Sequence, residues 1–274
     1  VPLMSREEIK ETSVLESLKN IITNRPLLAV ILANFFNSFK AVGGSSESYF
    51  WLNNTGSLLN QTICGLFTGI PNYIMVPVAA KMVKKWGART TSIIAGLFGF
   101  FAYMTLFFVG FHPFGQTFKD HYIFNLIWVI FGLTVCGLPN KILNVSGQIV
   151  TAEALDYMEW KHGLRNEALV TTVQGYFGKL ATSVTGWLSG MVLTWINYVP
   201  LTDSLGNAVP QTDPTMLNGI WAVFCILPAL ARGLYGVSFI IYPIHGDLQQ
   251  QMIVELAEKR AQRLAEQEAK DHQA

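Results

Sequence analysis

Residues Ile93 to Phe111 read IIAGLFGFFAYMTLFFVGF, nineteen consecutive residues without one charged side chain. At 1.5 Å per residue such a helix reaches about 28 Å, close to the ~30 Å hydrocarbon thickness of a bilayer. A helix on a soluble protein keeps a polar face, and this one has none, so the segment reads as a membrane span.

Working outward, five more segments have the length and apolar character to cross. The spans are Pro26 to Leu52, Leu58 to Ala80, Thr91 to Phe111, Tyr122 to Val150, Glu167 to Tyr198 and Met216 to Tyr242. Pro71 and Pro77 in the second, and Gly137-Leu138-Pro139 in the fourth, predict kinks. Composition agrees: the 274 residues are 51% hydrophobic and 14% charged, and the charges concentrate at the ends and in short connections. A formal charge of +1 with no dense basic run excludes a nucleic-acid binder. Cys64, Cys136 and Cys225 each fall within an apolar stretch and read as small buried hydrophobes.

Basic residues set the orientation. Lys81, Lys84, Lys85 and Arg89 separate spans two and three, and Lys161 and Arg165 separate four and five. The opposite connections, Asn53 to Ser57, His112 to His121 and Val199 to Thr215, offer only Lys119, so both ends of the segment are expected in the cytoplasm of a plasma or inner membrane. Residues 1–25 read as a cytoplasmic stretch with an interfacial helix from Ser13 to Asn24, opened by a Ser13-x-x-Glu16 capping box. Residues 246–274 read as a solvated tail helix capped at Asp247, with Glu255 to Lys259 and Glu266 to Lys270 pairs. The opening Val1-Pro2-Leu3 carries no signal segment and predicts a start inside a longer chain.

Three lysines stand where lipid or protein interior is expected. At 1.5 Å per residue, Lys40 lies about 21 Å into span one, Lys141 about 15 Å from the cytoplasmic end of span four, and Lys179 about 18 Å into span five. An ammonium near the midplane costs several kcal/mol unless it faces a cavity or a partner. Glu47 is the acidic counterpart within the spans. Asn34, Asn37 and Lys40 are spaced for one face of span one, and Gln174 and Lys179 flank a face of span five. Trp128 and Tyr176 can stack on a sugar ring; Tyr49 and Trp51 read as interface anchors. Arg232 in span six reads as a long side chain reaching bundle polar groups or the interface.

The most distinctive segment, Glu153-Ala-Leu-Asp156-Tyr157-Met-Glu159-Trp160-Lys161-His162-Gly163-Leu-Arg165-Asn166-Glu167, packs acids, bases and aromatics into the turn between spans four and five. Glu159-x-x-His162 in isolation is too weak a pattern for a metal site.

The run Asp156-Tyr157-x-Glu159-Trp160-Lys161-x-Gly163-x-Arg165-x-Glu167 resembles the signature between helices ten and eleven of the melibiose permease-like glycoside-pentoside-hexuronide:cation symporters of the major facilitator superfamily. The Gln174 to Lys179 spacing resembles that family's helix eleven, Lys81 to Arg89 its eight-to-nine loop, His245-Gly246-Asp247 the opening of its tail, and Arg6 to Pro26 its central loop. The resemblance implies an all-α integral membrane fold: the six-transmembrane-helix C-terminal domain of a twelve-helix transporter, completed by an N-terminal six-helix half. It implies secondary active transport of a sugar or glycoside coupled to Na+ or H+, with no organic cofactor and with the cation ligands in the N-terminal half. Lys179, Gln174, Asn37, Lys40, Lys141, Tyr176 and Trp128 are the expected substrate-lining residues. Glu153, Asp156, Tyr157, Glu159, Lys161, Arg165 and Glu167 are the expected cytoplasmic gate. Lys141 has no lysine counterpart in melibiose permease. An excess of midplane positive charge suits an anionic sugar such as a hexuronide. The alternatives are a membrane-embedded enzyme, for which the spans hold no histidine, and a non-transporting sensor.

Overall fold

The computed structural model describes residues 23–109, 122–163, 165, 167–206 and 208–271. The expected interfacial helix, except Thr23 and Asn24, and the His112 to His121 connection lie outside them.

The first pass is three helices in series: α1 (Arg25–Ser38), α2 (Lys40–Ser45) and α3 (Glu47–Asn53). Asn24 starts it, its Oδ1 accepting the Leu27 amide at 3.1 Å while its Nδ2 donates to the Ala154 carbonyl at 3.2 Å. Leu59–Val109 is helical throughout except at Gly87, where φ is 79° and ψ 161°. That left-handed backbone favours glycine and divides the stretch into α4 (59–86) and α5 (88–109). The chain reverses there, because Cys64 and Leu106 share one apolar cluster while Ala79 and Ala95 share another. The connection between spans two and three is therefore a single-residue turn, and the basic residues expected in it sit on helix ends. Arg89 uses its position to cap the last helix of the bundle, donating to the Phe239 and Ile240 carbonyls at 3.0 and 2.9 Å.

α6 (Tyr122–His162) and α7 (Glu167–Trp195) follow, then a two-stranded hairpin of β1 (Leu201–Thr202) and β2 (Ala208–Val209). α8 (Pro214–Ser238) runs into a 3-10 turn (Phe239–Ile241), and α9 (Asp247–Asp271) ends the described chain. The helices run on through Pro71, Pro77 and Pro139. The Arg25–Asn53, Leu59–Val109, Tyr122–His162 and Pro214–Ile241 stretches are long and apolar enough to cross a membrane, the second of them twice. α7 spans a similar length with more Thr, Ser and Gly in its sequence.

Two clusters show the up-and-down order. At one end Phe50, Trp51, Cys64, Leu106, Val129 and Trp221 pack together; at the other lie Ala29, Ala88, Val150, Phe239 and Tyr242. Successive passes exchange ends, as an antiparallel bundle requires. Asn24, Gly87, Gly163 and α9 thus share one end, here the tail-side end.

Two expectations change. The Glu153 to His162 part of the signature is helix, the last turns of α6, and α7 begins at Glu167. Tertiary partners on α9 sustain those turns beyond the apolar span. The tail helix is also not simply solvated: Met252 and Leu256 are buried, and Met252 joins the tail-side core.

Candidate functional site

The first pass is interrupted at Phe39 and again at Ser46. Between these breaks Gly43 lies so close to α8 that a Cβ there would fall 2.5 Å from Pro228 Cγ. The interrupted segment, α4, α5, α6 and α8 border an open cavity of about 590 Å³ lined by Lys40, Glu47, Asn72, Lys141, Asn144 and Arg232 among others. It lies between the two apolar clusters, at middle depth. Lys141 stands 4.7 Å over the Tyr73 ring, and Arg232 Nη1 donates to Asn37 Oδ1 at 2.9 Å. Arg232 is 3% exposed, and its Nε has no hydrogen-bond partner among the described residues.

A second cavity, about 490 Å³, shares Asn144 with the first and is lined by Asn34, Asn37, Gln148 and Gln174. The face predicted for span one is divided between them: Asn34 and Asn37 line the second cavity and Lys40 the first. Lys179 and Tyr176 sit on the exposed face of α7, away from both cavities. Trp128, half-buried on α6, packs its ring 6.1 Å from Phe131, and its indole N–H has no partner among the described residues. Trp51 is not an interface anchor. It is fully buried beside Phe50, which stacks on Phe224 at 4.8 Å, and its indole N–H donates to Glu47 at 3.4 Å.

At the tail-side end the signature residues form an ionic plate. Glu159 is 0% exposed; its Oε2 meets Arg165 Nη1 at 3.3 Å and the Nη2 of Arg260, which comes from α9. Asp156 Oδ1 is shared by the same two arginines at 2.5 and 3.0 Å, and Arg165 Nε reaches Glu167 at 2.8 Å. The Glu159 and Asp156 carboxylates hold the Arg260 guanidinium above its ordinary value. For Arg165, burial opposes the charge and the Glu167 and Asp156 bonds outweigh it. Glu153 accepts from the Tyr242 hydroxyl at 2.9 Å and from Gln249 Nε2 at 2.7 Å. Burial pushes its carboxyl up, against the Tyr242 bond and with help from Asp156. Trp160 donates to Glu255 at 2.7 Å, and Lys161 and Tyr157 pair with each other at the exposed edge, 3.5 Å apart.

Sequence reasoning did not single out Arg260, Tyr242, Gln249 and Asn72. Met252, Leu256 and Arg260 recur at i, i+4 and i+8, a stripe that carries the docking face of α9. Arg232 was visible as a charge; its direction depends on helix phase.

The chain is thus a helical bundle with a polar, cation-lined cavity at middle depth beside a first pass that is broken twice. The sequence profile of the MFS/sugar transport protein family matches residues 4–246, and the chain belongs to that family. It is similar to the uncharacterized symporter YjmB of Bacillus subtilis (strain 168), 30% identical over 92% of this chain and 51% of that protein. It is also similar to the isoprimeverose transporter of Lactiplantibacillus pentosus, 23% identical over 92% and 49%. The glucuronide carrier protein homolog of Escherichia coli (strain K12) is 24% identical over 92% and 51%. The chain spans about half the length of these curated relatives.

Proposed function

We propose that this chain is the C-terminal six-helix half of a secondary transporter that carries a sugar or glycoside, coupled to Na+ or H+, by alternating access. The observation that carries the reading is the polar mid-depth cavity beside the interrupted first pass, in a chain of the sugar transport family. A second half of six helices faces the open side of the bundle, where Lys179 and Tyr176 are exposed. Lys179 then meets substrate or the partner half's carboxylates, and Gln174, Asn37, Lys40, Lys141 and Trp128 line or border the path. The ionic plate is the gate: Asp156, Tyr157, Lys161, Arg165 and Glu167 offer the surface against which the partner half closes, and Glu153 and the buried Glu159 hold that surface in place from beneath. The basic connections orient that plate and both chain ends to the cytoplasm of a plasma or inner membrane. Transporter and carrier names among the relatives support this reading over a membrane-embedded enzyme.

The test is uptake of radiolabelled glycosides by vesicles holding the full-length protein, with and without an imposed Na+ or H+ gradient. Gradient-driven uptake that Lys179→Ala reduces at least about tenfold at unchanged expression supports the reading, a loss of the size expected for a desolvated charged hydrogen bond. Absence of gradient-driven uptake overturns coupling, and unchanged uptake by Lys179→Ala overturns the role of that residue.

A further inference from the structure

Apart from the polar cavities, the bundle carries a groove of opposite character. It measures about 690 Å³ and lies between α1, α7 and the turn that ends α8. Leu28, Leu32, Phe35, Phe177, Leu180 and Ile241 stand in its walls, and a single charged group, Arg25, stands at its rim. Arg25 opens α1 at the tail-side end, and Phe35 follows ten residues later. The α1 wall therefore runs about 15 Å toward mid-depth, the thickness of one leaflet of a ~30 Å hydrocarbon core. Phe177 and Leu180 stand about 15 and 20 Å along α7 from Glu167, which brings them to the same depth.

Position and breadth limit what can fill it. At 3.6 residues per turn, Phe177 and Leu180 are each turned about 100° round α7 from Tyr176 and Lys179, the exposed pair that faces the partner half in the proposed arrangement, so the groove opens to the flank of that contact. Spread over 15 Å or more, its 690 Å³ average at most about 46 Å² in section, against about 80 Å² for a helix 10 Å across. It is a slot for chains, too narrow for a whole helix. Charge limits the occupant further. Arg25 is exposed, and its side chain has no hydrogen bond or ion pair among the described residues. Arg89, which donates to the Ile240 carbonyl at 2.9 Å, brings a second cation close to Ile241, and the positive end of α1 lies at the level of Arg25. A neutral apolar molecule fills the slot and leaves Arg25 unpaired; a soluble anion pairs with Arg25 and leaves the slot open. A lipid with a phosphate diester head does both, since phosphate accepts two bonds from a guanidinium at the depth where head groups lie.

We infer that this groove is a binding site for an anionic phospholipid of the tail-side leaflet, with acyl chain along Leu28, Leu32 and Phe35 and the phosphate on Arg25. The inference needs the bundle to lie in a bilayer and is independent of the transported solute. Leu27 fixes one face of α1 in a cluster with Ala154, Met158 and Val170, and the lipid covers the adjoining face. Its inner end reaches Phe35, whose ring lies 5.4 Å from that of Phe39, where the first pass breaks.

The experiment is native mass spectrometry of the purified full-length protein in neutral detergent, titrated with dioleoyl phosphatidylglycerol and with dioleoyl phosphatidylcholine. Wild type is expected to bind its first phosphatidylglycerol about fivefold tighter than its first phosphatidylcholine, the preference that one arginine at the membrane surface gives to a lipid of net negative charge. Arg25→Gln is expected to bring that ratio to within about twofold. Leu32→Trp, which fills the slot, is expected to weaken first binding of both lipids at least about fivefold. Arg25 and Leu32 are both exposed, so neither change opens the core. Equal affinity for the two lipids in wild type overturns the inference, as does a preference that survives Arg25→Gln or binding that Leu32→Trp leaves unchanged. A nitroxide on Leu32→Cys, in nanodiscs and with other accessible cysteines replaced, tests the occupant separately. A label reached by oxygen and shielded from an aqueous nickel chelate supports lipid in the groove. A label that neither reagent reaches shows that the partner half covers the groove, and a label open to the chelate shows that water fills it; either result overturns the inference.

Discussion

Replacing Arg260 by alanine measures what holds the tail helix to the bundle. Arg260 donates to Asp156 Oδ1 at 3.0 Å and clasps both oxygens of Glu159, whose side chain is 0% exposed. Removing one partner of a fully buried ion pair costs about 3–5 kcal/mol. Two features lower that here: the Arg260 side chain is 31% exposed, and Arg165 stays 3.3 Å from Glu159 after the change. Water screening and the remaining arginine bring the expected cost to about 2 kcal/mol, roughly 30-fold in the docking equilibrium. Burial of Met252 and Leu256, worth about 1.5–3 kcal/mol each, keeps the helix docked most of the time. Hydrogen exchange in the full-length protein reads the effect directly. Amides of 247–271 should exchange roughly 30-fold faster in Arg260→Ala, those of 88–109 should be unchanged, and Arg260→Lys should recover only part, since it lacks the two-pronged grip. Tail exchange within threefold of wild type, or an equal rise across the whole bundle, refutes the reasoning.

Two further changes probe the packing and the plate. At Gly96 a Cβ would lie 2.7 Å from Gly236 Cα and 2.9 Å from the Arg232 carbonyl, all backbone, so Gly96→Ala must push α5 from α8 at a cost of about 3 kcal/mol; an unchanged melting temperature in detergent would contradict this. At Glu153 the raised carboxyl pKa means that the folded state keeps its proton to higher pH than the unfolded state does, so stability present below the ordinary carboxylate range is lost as pH rises through the raised value. Glu153→Gln removes that loss, and its melting temperature relative to wild type should rise between pH 4 and pH 8; a gap that stays constant or reverses would show that the carboxyl is not strained by burial.

The helices were legible because bilayer length and hydropathy act on the chain locally: Ile93 to Phe111 needs no partner to be recognised. Their ends were less so. α6 continues to His162 because Gln249, Glu255 and Arg260 of α9 bond its last turns from 95 or more residues away, and no local rule contains those partners. Gly87 was visible as a glycine, yet only its positive φ makes it the whole connection. Lys40 and Lys141 stood out by the cost of a charge at mid-depth and do share a cavity. Asn37 lines the neighbouring one and meets the first only through Arg232, whose Nη1 donates to it at 2.9 Å, a side-chain pairing that helical spacing does not specify. Trp51 was misread because a tryptophan near a span end suits an interface and a core equally, and Phe50, Trp221 and Phe224 decide between them.

The one-residue reversal at Gly87 has a practical consequence for anyone attaching probes to this protein. With helix on both sides and Arg89 fastened to the Phe239 and Ile240 carbonyls, the turn has no slack to take an epitope, a fluorescent fusion or a long spin-label linker. Such cargo belongs instead on the exposed hairpin tip between Thr202 and Ala208, where Asp203 and Gly206 already form a surface turn and no span would be pulled out of register.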